Sequence, residues 1–279
     1  MMEFARSVSE LVRDRISTRT FSHDDLDPLD RSALERACAG LTSGLLAERS
    51  SFRLVTQAPR SNGGPRISDY GIIDPSGHFL VGAVKASPLA CQSYGYLLEQ
   101  LVLKATDLGL DTLWVGYFHP EFFSDFHPAE DEVFPAIVIV GRRRPSLKGP
   151  LVRLAVRAAS RRGWQALFFE ADLKTPLSPA SCGPWAEALE LVRLGPSAGN
   201  RQPWRVAADA DRRAFHFYVR PSNPDYERRH LHDVDMGIAL SHFELGARAA
   251  GLDGTWIRRD PALADPGAGM SYTMTWSAG

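Results

Sequence analysis

Two stretches of this chain, each twenty residues long, match without a gap: GYLLEQLVLKATDLGLDTLW at residues 95–114 and GIALSHFELGARAAGLDGTW at residues 237–256. Identities fall at Gly95/Gly237, Leu98/Leu240, Leu103/Leu245, Ala105/Ala247, Gly109/Gly251, Leu110/Leu252, Asp111/Asp253 and Trp114/Trp256. Buried helices share leucines for general reasons. They do not for such reasons share a Gly-Leu-Asp stop followed by tryptophan at one spacing. Each copy carries apolar residues at helical spacing, then that stop, then a short strand beginning at or near the tryptophan. The repeat predicts an internal duplication, which governs how many sites the chain can hold.

A weaker match, ALERACAGL at 33–41 against ALELVRLGP at 188–196, carries the two copies toward the N-terminus. The first half must then contain an insertion, and QAPRSNGGPRISDYG has the Gly, Pro and Ser content of a loop. AIVIVG at 136–141 and AFHFYV at 214–219 read as strands. The expected architecture is α+β, with two related halves, residues 1–165 and 166–279. Each is a β-sheet flanked by helices, and the two pack as an intrachain pseudo-dimer, the covalent form of an isologous pair.

Composition removes several classes of function. A net charge of -1 argues against wholesale attraction to nucleic acid or an anionic membrane. Three widely spread cysteines, Cys38, Cys91 and Cys182, suggest neither a disulfide framework nor a zinc knuckle, and fit a reducing compartment. The N-terminal MMEFARSVSELVRDR lacks a signal-peptide core, and no run approaches the roughly 20 apolar residues of a membrane span. A cytoplasmic protein is expected.

Three segments carry candidate chemistry. In RDRISTRTF, the residues Arg15, Ser17 and Arg19 alternate, so an extended backbone would point two guanidiniums and a hydroxyl at one anion; by itself the segment reads equally as a solvated, positively charged turn. GRRRPSLKGPLVRLAVRAASRRG at 141–163 has eight Lys or Arg and no acid, but lacks the interleaved aromatics of a nucleic-acid surface. Most of it reads as a solvated helix face. PSAGNRQPW at 196–204 is a glycine-containing loop whose backbone can approach a ligand closely, with Asn200 and Gln202 as donors and acceptors.

Other features favour ordinary structural roles. RRHLHDVDMG offers His230, His232 and Asp235, without an evident third strong metal ligand nearby. Asp233 or Asp235 is expected to cap the following helix. His216 is expected on the polar face of its strand, and Trp204 in the core. No nucleophile elbow, HExxH, Walker loop or GxGxxG occurs.

Together RISTRTF, LELVRLGPSAGNRQPWRV, GLDTLWVGYF and RRGWQALFFE resemble the nitroreductase family of flavin enzymes, in its branch with two subunit-like halves in one chain. The resemblance implies FMN, with NADH or NADPH as electron donor and a small-molecule electron acceptor that it does not identify. It implies that the phosphate is held by Arg15, Ser17 and one or both of Arg161 and Arg162, with Ile16 also among the cofactor-binding residues. Arg19 would stand near the ring's N1 and O2 edge, and the backbone of Gly116 and Tyr117 near N5. Pro196, Ser197, Asn200 and Gln202 would reach across from the other half. The family often has Gly-Gly or Glu-Gly where this chain has Gly116 and Tyr117, so the Tyr117 ring is expected to narrow the pocket.

Fused halves would make one chain sufficient, with no need of a homodimer. The reciprocal site is expected to be lost. The alignment sets Glu170, Asp172 and Lys174 opposite Arg15, Ser17 and Arg19, and Leu45 of LTSGLLAER opposite Asn200, which implies one flavin per chain. The competing expectation is a flavin-holding or flavin-free binding protein, acting as a sensor, a carrier or a partner-binding module.

Overall fold

The computed structural model describes residues 2–57, 66–69, 71–123, 125–145, 160–263 and 269–279. Two five-stranded sheets organise the chain. The first contains β1 (Ser51–Thr56), β2 (His78–Lys85), β3 (Asp111–Val115), β4 (Glu132–Val133) and β5 (Ile137–Gly141). The second contains β6 (Phe168–Glu170), β7 (Trp204–Ala208), β8 (Ala214–Val219), β9 (Gly254–Ile257) and β10 (Ser271–Ala278).

Strand order exposes the duplication. The first sheet runs β1-β2-β5-β3 and the second runs β7-β8-β10-β9, both antiparallel throughout. The sheets differ in one added strand each: β4 pairs with β2, and β6 lies parallel to β7. β6 follows the basic tract, so the chain leaves the first half by adding a strand to the second sheet. The helix expected within that tract falls at residues 146–159, outside the described residues, as does most of the expected loop insertion.

The helices are α1 (Val8–Asp14), α2 (Pro28–Gly40), α3 (Pro88–Asp107), α4 (Ala186–Leu194), α5 (Pro224–Arg228) and α6 (Leu231–Ala249). The repeat places α3 and α6 in corresponding positions. Both are buried around nearly their whole circumference, as expected of helices at the centre of a molecule. They pack on each other through the matched glycines. A Cβ on Gly95 would lie 2.2 Å from the Val234 carbonyl oxygen, and one on Gly237 would lie 2.0 Å from that of Gln92. Only glycine permits backbones this close.

Each helix also anchors the tryptophan of its own half through a buried glutamate. Glu99 accepts from Trp114 Nε1 at 2.8 Å, and Glu244 accepts from Trp256 Nε1 at 2.7 Å. The glutamates are not repeat partners, since Glu99 aligns with Ser241 and Glu244 with Val102. One function is kept from neighbouring turns of the two copies.

The halves are no longer equivalent at their mutual boundary. The turn at Leu45–Ala47 retains left-handed backbone at Leu46 and Ala47, and Ala47 (φ 64°) aligns with Gln202 (φ 48°). Its side chains have become apolar: Leu41 and Leu45 are buried in the main core cluster, and the turn packs against β9.

The expected counterparts of the arginine segment require correction. Ser17 bridges Thr112 in β3, whereas Glu170 lies in β6 and pairs with Ala208 of β7. Asp172 accepts from the backbone N–H of Lys174 and Thr175, both at 2.8 Å, within its own turn. Glu170, Asp172 and Lys174 therefore occupy the added strand and its turn, a different place from Arg15, Ser17 and Arg19. Gapless alignment missed this because β6 has no partner strand in the first sheet among the described residues. No helix of the described residues is long and apolar enough to cross a membrane.

Candidate functional site

α1 is fixed at its start by a capping box in which Ser7 and Glu10 satisfy each other's backbone N–H groups. It stops at Arg15, where the chain turns extended and runs beside β3, with Thr18 N donating to Thr112 O at 3.0 Å. Ser17 and Arg19 face a cavity of 320 Å³ between the two halves. Arg15 lies behind that wall at 7% exposure, and its Nε has no partner. The alternation read from the sequence thus puts two of the three polar side chains on the cavity and one beneath it.

The first half also supplies the end of β3 and the residues after it, including Gly116 and Tyr117. From the second half come Pro196, Ser197 and Asn200 of the loop, Tyr226, and the first turns of α6. Arg161 completes the lining, donating from Nη1 to Asn200 Oδ1 at 2.8 Å. The volume falls within the usual range of about 300–1,000 Å³ for small-molecule pockets.

Three expected residues stand elsewhere. Ile16 does not line this cavity, and Arg162 and Gln202 line a different one on the far side of the loop. Gln202 is fully buried and spends its amide on the scaffold. Its Nε2 donates to Arg193 O at 2.7 Å and its Oε1 accepts from Arg162 N at 2.6 Å. Those bonds hold a costly backbone shape, since Gly199, Asn200 and Gln202 all have left-handed φ values. In PSAGNRQPW the glutamine is a clamp. Trp204 is fully buried in the core, as expected.

Asp233 or Asp235 is expected as a helix cap. Both lie inside α6, while the cap position belongs to His230 at φ 56°. Asp235 Oδ1 accepts from Ala198 N at 2.8 Å and Oδ2 has no partner, although the residue borders the cavity at 3% exposure. Burial pushes this carboxyl well above the ordinary range, against the opposing pull of the Ala198 N–H. Asp233 instead faces His230 Nδ1 at 2.9 Å and accepts from Gln92 Nε2 at 3.2 Å. Asp235 stands one turn into α6, between the buried Val234 and Met236.

His216 is likewise buried, contacting Thr275 Oγ1 at 2.8 Å and Asp209 Oδ1 at 3.2 Å, because β8 is covered on both faces. At the cavity mouth, Tyr117 crosses between the halves. Its hydroxyl donates to Asp225, its ring lies 5.7 Å from that of Tyr226, and the Arg229 guanidinium sits 4.6 Å over it. Burial and the Asp225 bond push the Tyr117 hydroxyl up to about 12.

The cavity is built from an arginine segment of one half and a polar loop of the other. A family model described as "Putative TM nitroreductase" matches residues 7–247. The chain belongs to that nitroreductase family. A crystal structure described as a "putative nitroreductase" from Thermotoga maritima superposes with a TM-score of 0.62 at 19% identity, covering 99% of this chain and 96% of that one. That likeness establishes the nitroreductase fold over the full length. A nitroreductase with bound FMN from Bacteroides fragilis aligns at 16% identity and a TM-score of 0.39, covering 50% of this chain and 90% of its own. No curated protein matches the sequence.

The nitroreductase cavity of this chain also fits a phosphorylated cofactor by the chemistry of its donors. Arg15 and Arg161 are close enough for the Arg15 charge to act on Arg161, whose guanidinium is pulled down to about 10, first by burial and then by Arg15 and Arg193. Arg15 is likewise lowered by burial, and the one acid acting on it, Glu99, is engaged by Trp114 and His242. Buried like charges of this kind are costly unless an anion joins them.

Proposed function

We propose that this chain is an FMN-dependent oxidoreductase that takes hydride from NADH or NADPH and delivers electrons to a small-molecule acceptor. One FMN would bind between the halves. The observation that carries the reading is the buried, partnerless Nε of Arg15, behind the wall that Ser17 and Arg161 line. Arg15, Ser17 and Arg161 would hold the phosphate.

When bound, the flavin supplies an N5 that accepts and returns a hydride equivalent. The residues around it bind and tune. Arg19 lines the cavity and brings positive charge that favours an anionic reduced ring. Ser197 and Asn200 present a loop fixed by Arg161 and by Asp235 Oδ1, which accepts from Ala198 N. Tyr117 and Tyr226 narrow the mouth, which favours flat acceptors and limits water entry. The matching loop in the first half has the buried, apolar Leu45 where the second has Asn200, so the reading is one flavin per chain.

Absorbance spectroscopy tests it. The protein should retain or take up one equivalent of FMN, and NADH or NADPH should bleach the spectrum under anaerobic conditions. Arg15→Glu should lose the flavin. Protein that stays colourless after incubation with FMN refutes flavin binding, and a flavin that neither nucleotide bleaches identifies a carrier or sensor instead of a reductase.

A further inference from the structure

The loop at 196–203 separates two cavities, and adjacent arginines serve different ones. Arg161 lines the first, whereas Arg162 lines a second of 280 Å³ together with Arg201, Arg205, Arg220 and Ser222. Strand register assembles this second wall. Trp204 pairs with Val219 and Arg205 with Tyr218, so Arg205 on β7 and Arg220 at the end of β8 meet at one end of the ladder. Arg220 N donates to Pro203 O at 2.8 Å, tying the end of β8 to the loop. Arg162 Nε donates to Arg201 O at 3.0 Å, which fixes the third guanidinium at the rim.

We propose that this cavity is an anion site, distinct from the flavin cavity, that takes a phosphoryl group of a small ligand. Arg162, Arg201 and Arg220 are exposed and by themselves would be an ordinary basic surface. Arg205 is what distinguishes the place, because it is buried at 5% exposure and lines the cavity floor. It donates from Nη1 to Gln202 O at 3.1 Å and Trp204 O at 2.5 Å; among the described residues no carboxylate pairs with any of the four arginines. Burial and the charges of Arg162 and Arg220 pull its guanidinium down to about 10. Several planar donor forks converging without an acid suit a phosphate monoester or diphosphate, whose oxygens accept several N–H groups at once.

Inorganic pyrophosphate is the probe, titrated into the full chain by calorimetry at low and at moderate salt. Wild type should bind one equivalent with salt-weakened affinity that is retained in Arg15→Met, where the flavin cavity has lost its buried arginine. Arg220→Gln, an exposed change that leaves folding intact, should weaken binding by about tenfold or more without altering FMN content or melting temperature. Arg205→Met should abolish it. Displacement by NADPH alone would identify a ribose 2′-phosphate as the source, displacement by NADH and NADPH alike a dinucleotide diphosphate, and displacement by neither a free phosphoryl anion. Absence of pyrophosphate binding in wild type, or binding lost in Arg15→Met yet unchanged in Arg220→Gln, would overturn the proposal.

Discussion

Gly95 and Gly237 each place a bare Cα against the backbone of the helix that carries the other. Gly237 faces the Gln92 carbonyl and the Tyr96 N–H, and Gly95 faces residue Val234, which itself lines the cavity. The two positions the repeat alignment equates are thus the two contact points of one crossing, α3 on α6. This relationship is the local signature of a pseudo-two-fold, and it ties the spacing of the halves to the width of the site between them.

Alanine at either glycine should therefore cost more than a helix substitution usually does. The added Cβ meets backbone atoms that cannot rotate away, so a loss of about 1–3 kcal/mol is expected for Gly95→Ala or Gly237→Ala. Gly40, at the end of α2, has nothing within 4 Å of its virtual Cβ, and Gly40→Ala should be neutral or stabilising. Chemical denaturation of the three variants checks the contrast. Gly95→Ala should in addition lower FMN affinity by displacing Val234, and equal stabilities for all three would refute the close crossing.

The duplication, the strands at 136–141 and 214–219 and the polar part of the cavity wall, Ser17, Arg19, Arg161, Ser197 and Asn200, are legible because they are carried by residue type at fixed spacing. Gly-Leu-Asp-Trp, alternating apolar residues and a glycine loop are each visible without tertiary context. What was not legible depended on pairing. Sequence spacing cannot reveal that Phe168–Glu170 joins β7 in parallel, which is why Glu170 was set opposite Arg15. Nor can it separate Arg161 from Arg162, adjacent residues sent to opposite sides of one loop by the bonds each makes. A carboxylate near a helix start suggests a cap, and only the actual start at His230 puts Asp233 and Asp235 inside α6.

Glu99 joins the halves through a fully buried contact with His242, whose Nε2 lies 2.8 Å from Glu99 Oε1 while Nδ1 donates to Leu191 O at 2.7 Å. Glu99→Ala strips partners from His242 and from Trp114 together. A loss of about 3–5 kcal/mol is expected, as for other broken buried pairs. Replacing both members, Glu99→Met with His242→Leu, should recover much of that loss, since neither member is then left buried without the other. Urea midpoints for the single and double variants decide the matter; a double variant no more stable than the single one would contradict the account.

Asp235 makes stability depend on pH in an identifiable direction. Its folded-state pKa is raised, so the native chain holds that proton more tightly than the unfolded chain does. Its contribution is fully present below the unfolded Asp value of about 4 and is lost as pH rises through the folded pKa. Asp235→Asn keeps an oxygen to accept from Ala198 N and carries no titrating proton. The melting temperature of the variant should therefore gain on wild type progressively from pH 4 to pH 8. A difference that stays constant or narrows across that range would show that the carboxyl is not held protonated.

Arg15 should show opposed effects on stability and binding. In the flavin-free chain its guanidinium is desolvated, with Nε unsatisfied and no carboxylate in salt-bridge contact among the described residues. Methionine has similar length and no charge to desolvate, so Arg15→Met should raise the melting temperature of the flavin-free protein. The same change removes a phosphate ligand, so FMN affinity should fall by about tenfold or more. A residue that served only as scaffold would lower stability when replaced and leave FMN binding per folded molecule unchanged. Measuring melting temperature with and without FMN separates the two: the flavin should stabilise wild type strongly and the variant little, although the variant starts from the higher value.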